Sequence, residues 1–301
     1  MQKVAQMTDT RRHRTPMTSV ALLALVLAAA AASAQAPGTD VWLVPVDLDA
    51  SPPTLGEPRN LTDRDGYDNQ PYFEPEGNSL LYTSQRDGQT DIYKARLNVA
   101  PLEQLTDTDE SEYSATVLPS GLEFSAIRVE GDGTQRLWAF RRDGSAPRLL
   151  LESVAPVGYQ AWTPSESLAV FVLGEPATLQ VVDPSDGSAQ IMAEDIGRSL
   201  HPLPDGSGFS FLHRIDGTWR IRALDLASGN LSELGLPFEE SQDMAWTPDG
   251  RIVMASGSRI AIRSVEGAWQ VIGELAGAGA IELTRIAVHP EGGFLAVVAL
   301  R

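Results

Sequence analysis

The stretch "FEPEGNSLLYTS", Phe73 to Ser84, sets an aromatic residue, a proline-glycine turn and an apolar strand in succession. The same order of apolar segment, proline, turn and apolar strand returns in "TVLPSGLEFSAIR", "AWTPSESLAVFVL", "HPLPDGSGFSFLH", "AWTPDGRIVMASG" and "AVHPEGGFLAVVA". The six prolines are Pro75, Pro119, Pro164, Pro204, Pro248 and Pro290, spaced by 44, 45, 40, 44 and 42 residues. A period of this size is that of a repeat architecture, and in an all-β chain that of a four-stranded propeller blade. A second marker keeps phase with the first. After each of the first five prolines comes a turn and a strand of period two, as in "DGQTDIYKARL" and "DGTWRIRALD", the mark of a hairpin. Each repeat therefore predicts strand, proline turn, strand, hairpin, strand, turn, strand.

The last repeat stops after "EGGFLAVVALR" and lacks its outer strands. Their counterparts stand at the other end. "GTDVWLVPVDL" (Gly38 to Leu48) matches the hairpin strand, and "PRNLTD" (Pro58 to Asp63) matches "LEQLTD" (Leu102 to Asp107). A radial array has to cover its edges, and this exchange does so. The expected fold is all-β: a six-bladed β-propeller of four-stranded antiparallel blades, closed by N-terminal strands that complete the C-terminal blade.

Ahead of the repeats, Arg11, Arg12, His13 and Arg14 form a basic region. The apolar run Val20 to Ala32 follows, and then the small residues Ala32, Ser33 and Ala34. That is the layout of a cleavable signal peptide, and the run is shorter than the roughly 20 residues a membrane anchor needs. Residues 1–34 are thus expected to be a signal and 35–301 a single propeller domain, periplasmic or secreted, with no stable membrane insertion. The 1–34 segment carries four basic side chains against Asp9, so its removal takes the formal net charge from −17 to −20. A surface that acidic repels phosphate backbones, and no nucleic acid is expected as a partner. With no cysteine, disulfides, thiolate metal sites and a cysteine nucleophile are excluded.

The proline-glycine turns, with "YTSQRDGQTDIYKARL" and "LTD", resemble the TolB-like propeller family from about Thr39 to Arg301. The resemblance implies a role in the cell envelope and contact with other envelope proteins, and its motifs specify fold far better than function. TolB carries an α/β domain before its propeller, and none is expected in this chain. Related propellers of oligopeptidases carry a hydrolase domain, and no "GxSxG" occurs here.

Candidate chemistry follows from position in the repeat. Five residues before the prolines stand Gln70, Ser114, Tyr159, Ser199, Asp243 and Arg285, all polar or polar-tipped. Asp68, Asn69, Glu112, Arg198 and Gln242 lie just before them, and His201 just after Ser199. These twelve residues are expected to ring one mouth of the central channel. Two readings stay open: hydration of a channel, or a ligand site where loops of several blades converge. Trp162 and Trp246, two residues before their prolines, read as packing between blades. The acidic loops Asp63 to Asn69 and Asp107 to Glu112 read as solvated connections that attract cations without forming a defined site. No catalytic residue, metal or other cofactor is assigned. The leading expectation is a monomeric, exported, non-catalytic scaffold that binds an envelope protein or peptide. The alternatives are a metal-dependent lactonase or hydrolase, with Asp68, Asn69, Glu112 and Asp243 as donors, and a sensor of small molecules in the channel.

Overall fold

Each of the six prolines opens the same turn. The residue before it accepts a hydrogen bond from the residue three further on: Gly77 N to Glu74 O at 2.9 Å, Gly121 N to Leu118 O at 2.8 Å, Glu166 N to Thr163 O at 3.0 Å. Gly206, Gly250 and Gly292 repeat it in the other three repeats. Proline suits the second position of such a turn because its φ is already set. The fourth position is left-handed in all six, with φ between 67° and 80°, and five of the six are glycine, which has no Cβ to clash there. The computed structural model describes residues 38–264 and 267–301. The expected signal segment, 1–34, lies outside the described residues.

These turns join the first two strands of six antiparallel sheets. The innermost strands are β4 (Asp68–Phe73), β8 (Ser111–Val117), β12 (Val157–Trp162), β16 (Ile196–Pro202), β20 (Met244–Trp246) and β24 (Leu283–Val288). They define blades 1 to 6. In blades 1 to 5 the other three strands follow in order outward. Blade 6 is closed by the N-terminal strand β1 (Thr39–Asp47), which pairs with β25 (Phe294–Leu300) from Thr39 opposite Leu300 to Pro45 opposite Phe294. β2 (Thr54–Leu55) and β3 (Arg59–Asn60) then pair with β1 as its outer edge. The closure expected from the sequence is thus the one observed.

The core is divided among the blade interfaces. Successive side chains on a strand point to opposite faces, so each strand serves two neighbours. In blade 1, Leu80 and Tyr82 pack with Val41, Leu43 and Val298 of blade 6, while Leu81 between them packs with Phe124 and Phe140 of blade 2. Leu80, Leu81 and Tyr82 are all fully buried. Strands buried on both faces read as continuous apolar runs, which explains "LLY" here and "FLAVVAL" in blade 6. The two tryptophans pack as expected. Trp162 Nε1 donates to Ser125 Oγ of blade 2 at 3.0 Å, and Trp246 Nε1 donates to Ser210 Oγ of blade 4 at 2.8 Å. Each indole reaches the second strand of the preceding blade.

Candidate functional site

The six innermost strands surround a cavity of about 510 Å³. All six residues five before the prolines line it: Gln70, Ser114, Tyr159, Ser199, Asp243 and Arg285. Arg198 and His201 line it too. The reason is local. The pairing register of the innermost strand shifts beside this position in blades 1, 2, 3, 4 and 6. Gln70, Ser114 and Arg285 are left-handed there, with φ of 55°, 54° and 47°. A bulge of this kind turns the chain and re-aims a side chain. Non-glycine residues held at positive φ are costly and gather at functional sites. From this ring the cavity extends along the strands toward the proline turns, where Pro75, Pro119 and Pro164 line it.

The polar groups of the ring are bonded between blades. Gln70 Oε1 accepts from Thr83 Oγ1 at 2.8 Å and from the Ser114 backbone N–H at 3.0 Å. Ser199 Oγ accepts from the Met244 N–H at 3.1 Å. Asp243, 8% exposed, binds two arginines. Arg198 donates to it through Nε at 3.0 Å and Nη2 at 2.6 Å, a two-pronged pair. Arg285 donates through Nη1 at 2.9 Å and, through Nη2, to the Tyr159 hydroxyl. Blades 3 and 6 stand opposite each other in a ring of six, so the Arg285–Tyr159 contact crosses the channel. One network thus ties blades 3, 4, 5 and 6.

Burial alone would raise the Asp243 carboxyl. The Arg198 hydrogen bond and the charges of Arg285 and Arg198 outweigh it and hold the group below the usual carboxylate range. His201 is only partly covered, yet it sits deep enough that burial pushes its pKa down to about 4. It is neutral at pH 7, with Ser199 Oγ 3.1 Å from Nε2. Tyr67, within electrostatic reach of the ring, is pushed up to about 12 by burial and by Tyr159, against the opposing charge of Arg285.

The remaining sequence candidates do not line the cavity. Asp68 is fully buried and pairs with Arg64 at 2.9 Å. Glu112, also fully buried, accepts from Arg128 Nε at 2.9 Å and Thr108 Oγ1 at 2.7 Å. Burial nonetheless raises its carboxyl pKa, against those two partners. Asn69 Oδ1 accepts from the Gln70 N–H at 2.8 Å. Gln242 stands beside Gly197, outside the lining. Arginines meet the acidic loops as well: Arg301 reaches Asp65 at 2.8 Å and Asp63 at 3.3 Å. A metal held by Asp68, Asn69, Glu112 and Asp243 does not fit this arrangement, because three of the four donors are already bound to arginine. Among the described residues no three His, Asp or Glu side chains converge on one point.

Position in the repeat did not single out Gln160, which lines the cavity beside Tyr159. Its Nε2 donates to Ser114 O at 2.8 Å. The signal was there in "YQAW", a polar residue inside an apolar strand. Trp162, read as packing, packs between blades and lines the cavity as well.

No known family profile matches the sequence, and no curated protein does. Solved structures do. A protein described as TolB from Agrobacterium tumefaciens is similar at 15% identity and a TM-score of 0.69, over 88% of this chain and 99% of that one. TolB from Acinetobacter baumannii is similar at 14% identity and 0.59, over 87% of this chain; the match spans 63% of that protein's length. A gluconolactonase from Xanthomonas campestris is similar at 14% identity and 0.60, over 80% and 88%. Propellers of different function are thus matched about equally well, and identity this low speaks for fold alone; the fold of this chain is that of the TolB-like six-bladed propellers.

Proposed function

We propose that the protein is an exported, non-catalytic β-propeller that binds a protein or peptide in its central channel, entering from the face of the proline turns. Residues 1–34 act as its cleaved signal, and 35–301 work as one monomeric domain in the periplasm or outside the cell. The observation that carries this reading is the cavity of about 510 Å³ whose walls come from several blades. Its walls include Tyr72, Val117, Ala161, Trp162, Met244 and Ile286, and its charged groups Arg198, Asp243 and Arg285 stand at the inner end. A concave, largely apolar site with a few placed polar groups is the usual form of a binding pocket. The one carboxylate of the ring, Asp243, is held by Arg198 and Arg285, which suits recognition better than proton transfer.

The test is capture from an envelope extract by the immobilised protein and by Thr116→Trp. Thr116 lines the cavity and is only partly buried, so the indole fills the channel. The expected result is a defined partner captured by the first and lost by the second at unchanged melting temperature. Equal capture by both would place binding on another surface and overturn the reading.

A further inference from the structure

The inner end of the cavity carries an unbalanced charge. Arg198 and Arg285 bring two positive charges, and Asp243 returns one. His201 is neutral, and the Tyr159 hydroxyl accepts from Arg285 without supplying charge. Glu76 lines the cavity too, but its carboxylate is bound to Arg142 at 3.1 Å. Arg198 is 38% exposed in its side chain, and its Nη1 makes no hydrogen bond among the described residues.

We propose that this end of the channel is a receptor for a single carboxylate on an apolar body, supplied by the C-terminus of a peptide. The inference rests on the channel-binding reading above. A carboxylate placed against Arg198 takes up the free Nη1 and neutralises the extra unit of charge. Guanidinium suits carboxylate because its planar donors match two oxygens. A monoanion balances the site, whereas a dianionic phosphate would overshoot it. The formal charge of −17 on the whole chain disfavours a polyanion still further. A peptide C-terminus also brings side chains for the apolar walls.

The probes are N-acetyl-leucyl-leucine as the free acid, the same dipeptide as its C-terminal amide, and sodium hexanoate. Each is titrated calorimetrically into the purified protein at pH 7. The free acid is expected to bind about tenfold or more tightly than the amide, as for a charge-assisted hydrogen bond. Arg198→Gln is expected to erase that ratio while the protein stays folded. Equal binding of acid and amide would overturn the carboxylate assignment and leave channel binding standing. Hexanoate binding as tightly as the dipeptide acid would assign the site to small organic acids and overturn the peptide source. Failure of all three probes would overturn this inference, while the channel reading is decided separately by Thr116→Trp.

Discussion

Glu166 occupies the left-handed turn position that is glycine in the other five blades, with φ of 67°. A side chain at that φ costs on the order of 1–2 kcal/mol. At Gly121 a Cβ would meet nothing within 4 Å, so backbone strain alone decides a substitution there. Gly121→Glu should therefore lower the stability by about 1 kcal/mol, and Glu166→Gly should not lower it; urea unfolding of the two variants checks both. Asp243 holds two arginines, so Asp243→Ala leaves both without their counter-ion. The expected loss is on the order of 3 kcal/mol, as for a broken buried pair, and thermal unfolding measures it. Arg198→Ala, more exposed, should cost under about 1 kcal/mol. The pH dependence separates these groups. Asp243 has a depressed pKa, so its contribution is present above the unfolded value near 3.8 and is lost only as pH falls through the lower folded value. His201 drops from 6.5 to about 4 on folding, so between those two values the unfolded state takes up the proton first. Stability should thus fall from pH 6.5 to 4, and His201→Gln should flatten that slope in melting temperature against pH. At this scale the sequence was legible where the repeat repeats itself. The six ring positions followed from counting back from the prolines. That Asp68 and Glu112 would be bound to Arg64 and Arg128 did not, because those partners come from no fixed place in the repeat.

Strand β1 is the element on which the ring depends. Val41, Leu43, Val44 and Val46 are buried at 6% exposure or less, on both faces of the strand. The alternation Trp42, Val44, Val46, Leu48 visible in the sequence is only half of what is buried, and Trp42 and Leu48 are only partly covered. An inner blade strand has a neighbour on each side, so period two fails where the flanking blades are both present. Burial of four such residues is worth roughly 6–12 kcal/mol at 1.5–3 kcal/mol each, comparable with the whole stability of a typical domain. Deletion of residues 38–62 is therefore expected to give a chain that unfolds or aggregates. Size-exclusion chromatography with thermal unfolding reads the outcome, and a monomer of unchanged melting temperature would refute the closure. The strand order and the closure could be read from the sequence because turn chemistry repeats in phase. The bulges at Gln70, Ser114 and Arg285 could not, since no glycine marks these positive-φ positions.

On the scale of the molecule, six interfaces of the same kind leave one central space, and the ring positions meet in it. Arginine side chains reach into the channel at the ring. Arg285 crosses from blade 6 to Tyr159 of blade 3, and the Arg198–Asp243 pair closes the side of blades 4 and 5. On the proposed reading, an occupant enters from the proline-turn face and ends against the arginines. Architecture was legible in the chain because it is written six times. The ligand was not, because the chemistry of the channel is written once in each blade and differently in each. The most direct test is hydrogen–deuterium exchange of the protein with and without its captured partner. Slowed exchange is expected in Val157–Trp162 and Ile196–Pro202, the innermost strands that carry Tyr159, Gln160, Arg198 and His201. Slowed exchange confined to outer strands such as Ala189–Glu194, or to the acidic loop Asp107 to Glu112, would contradict a binding channel.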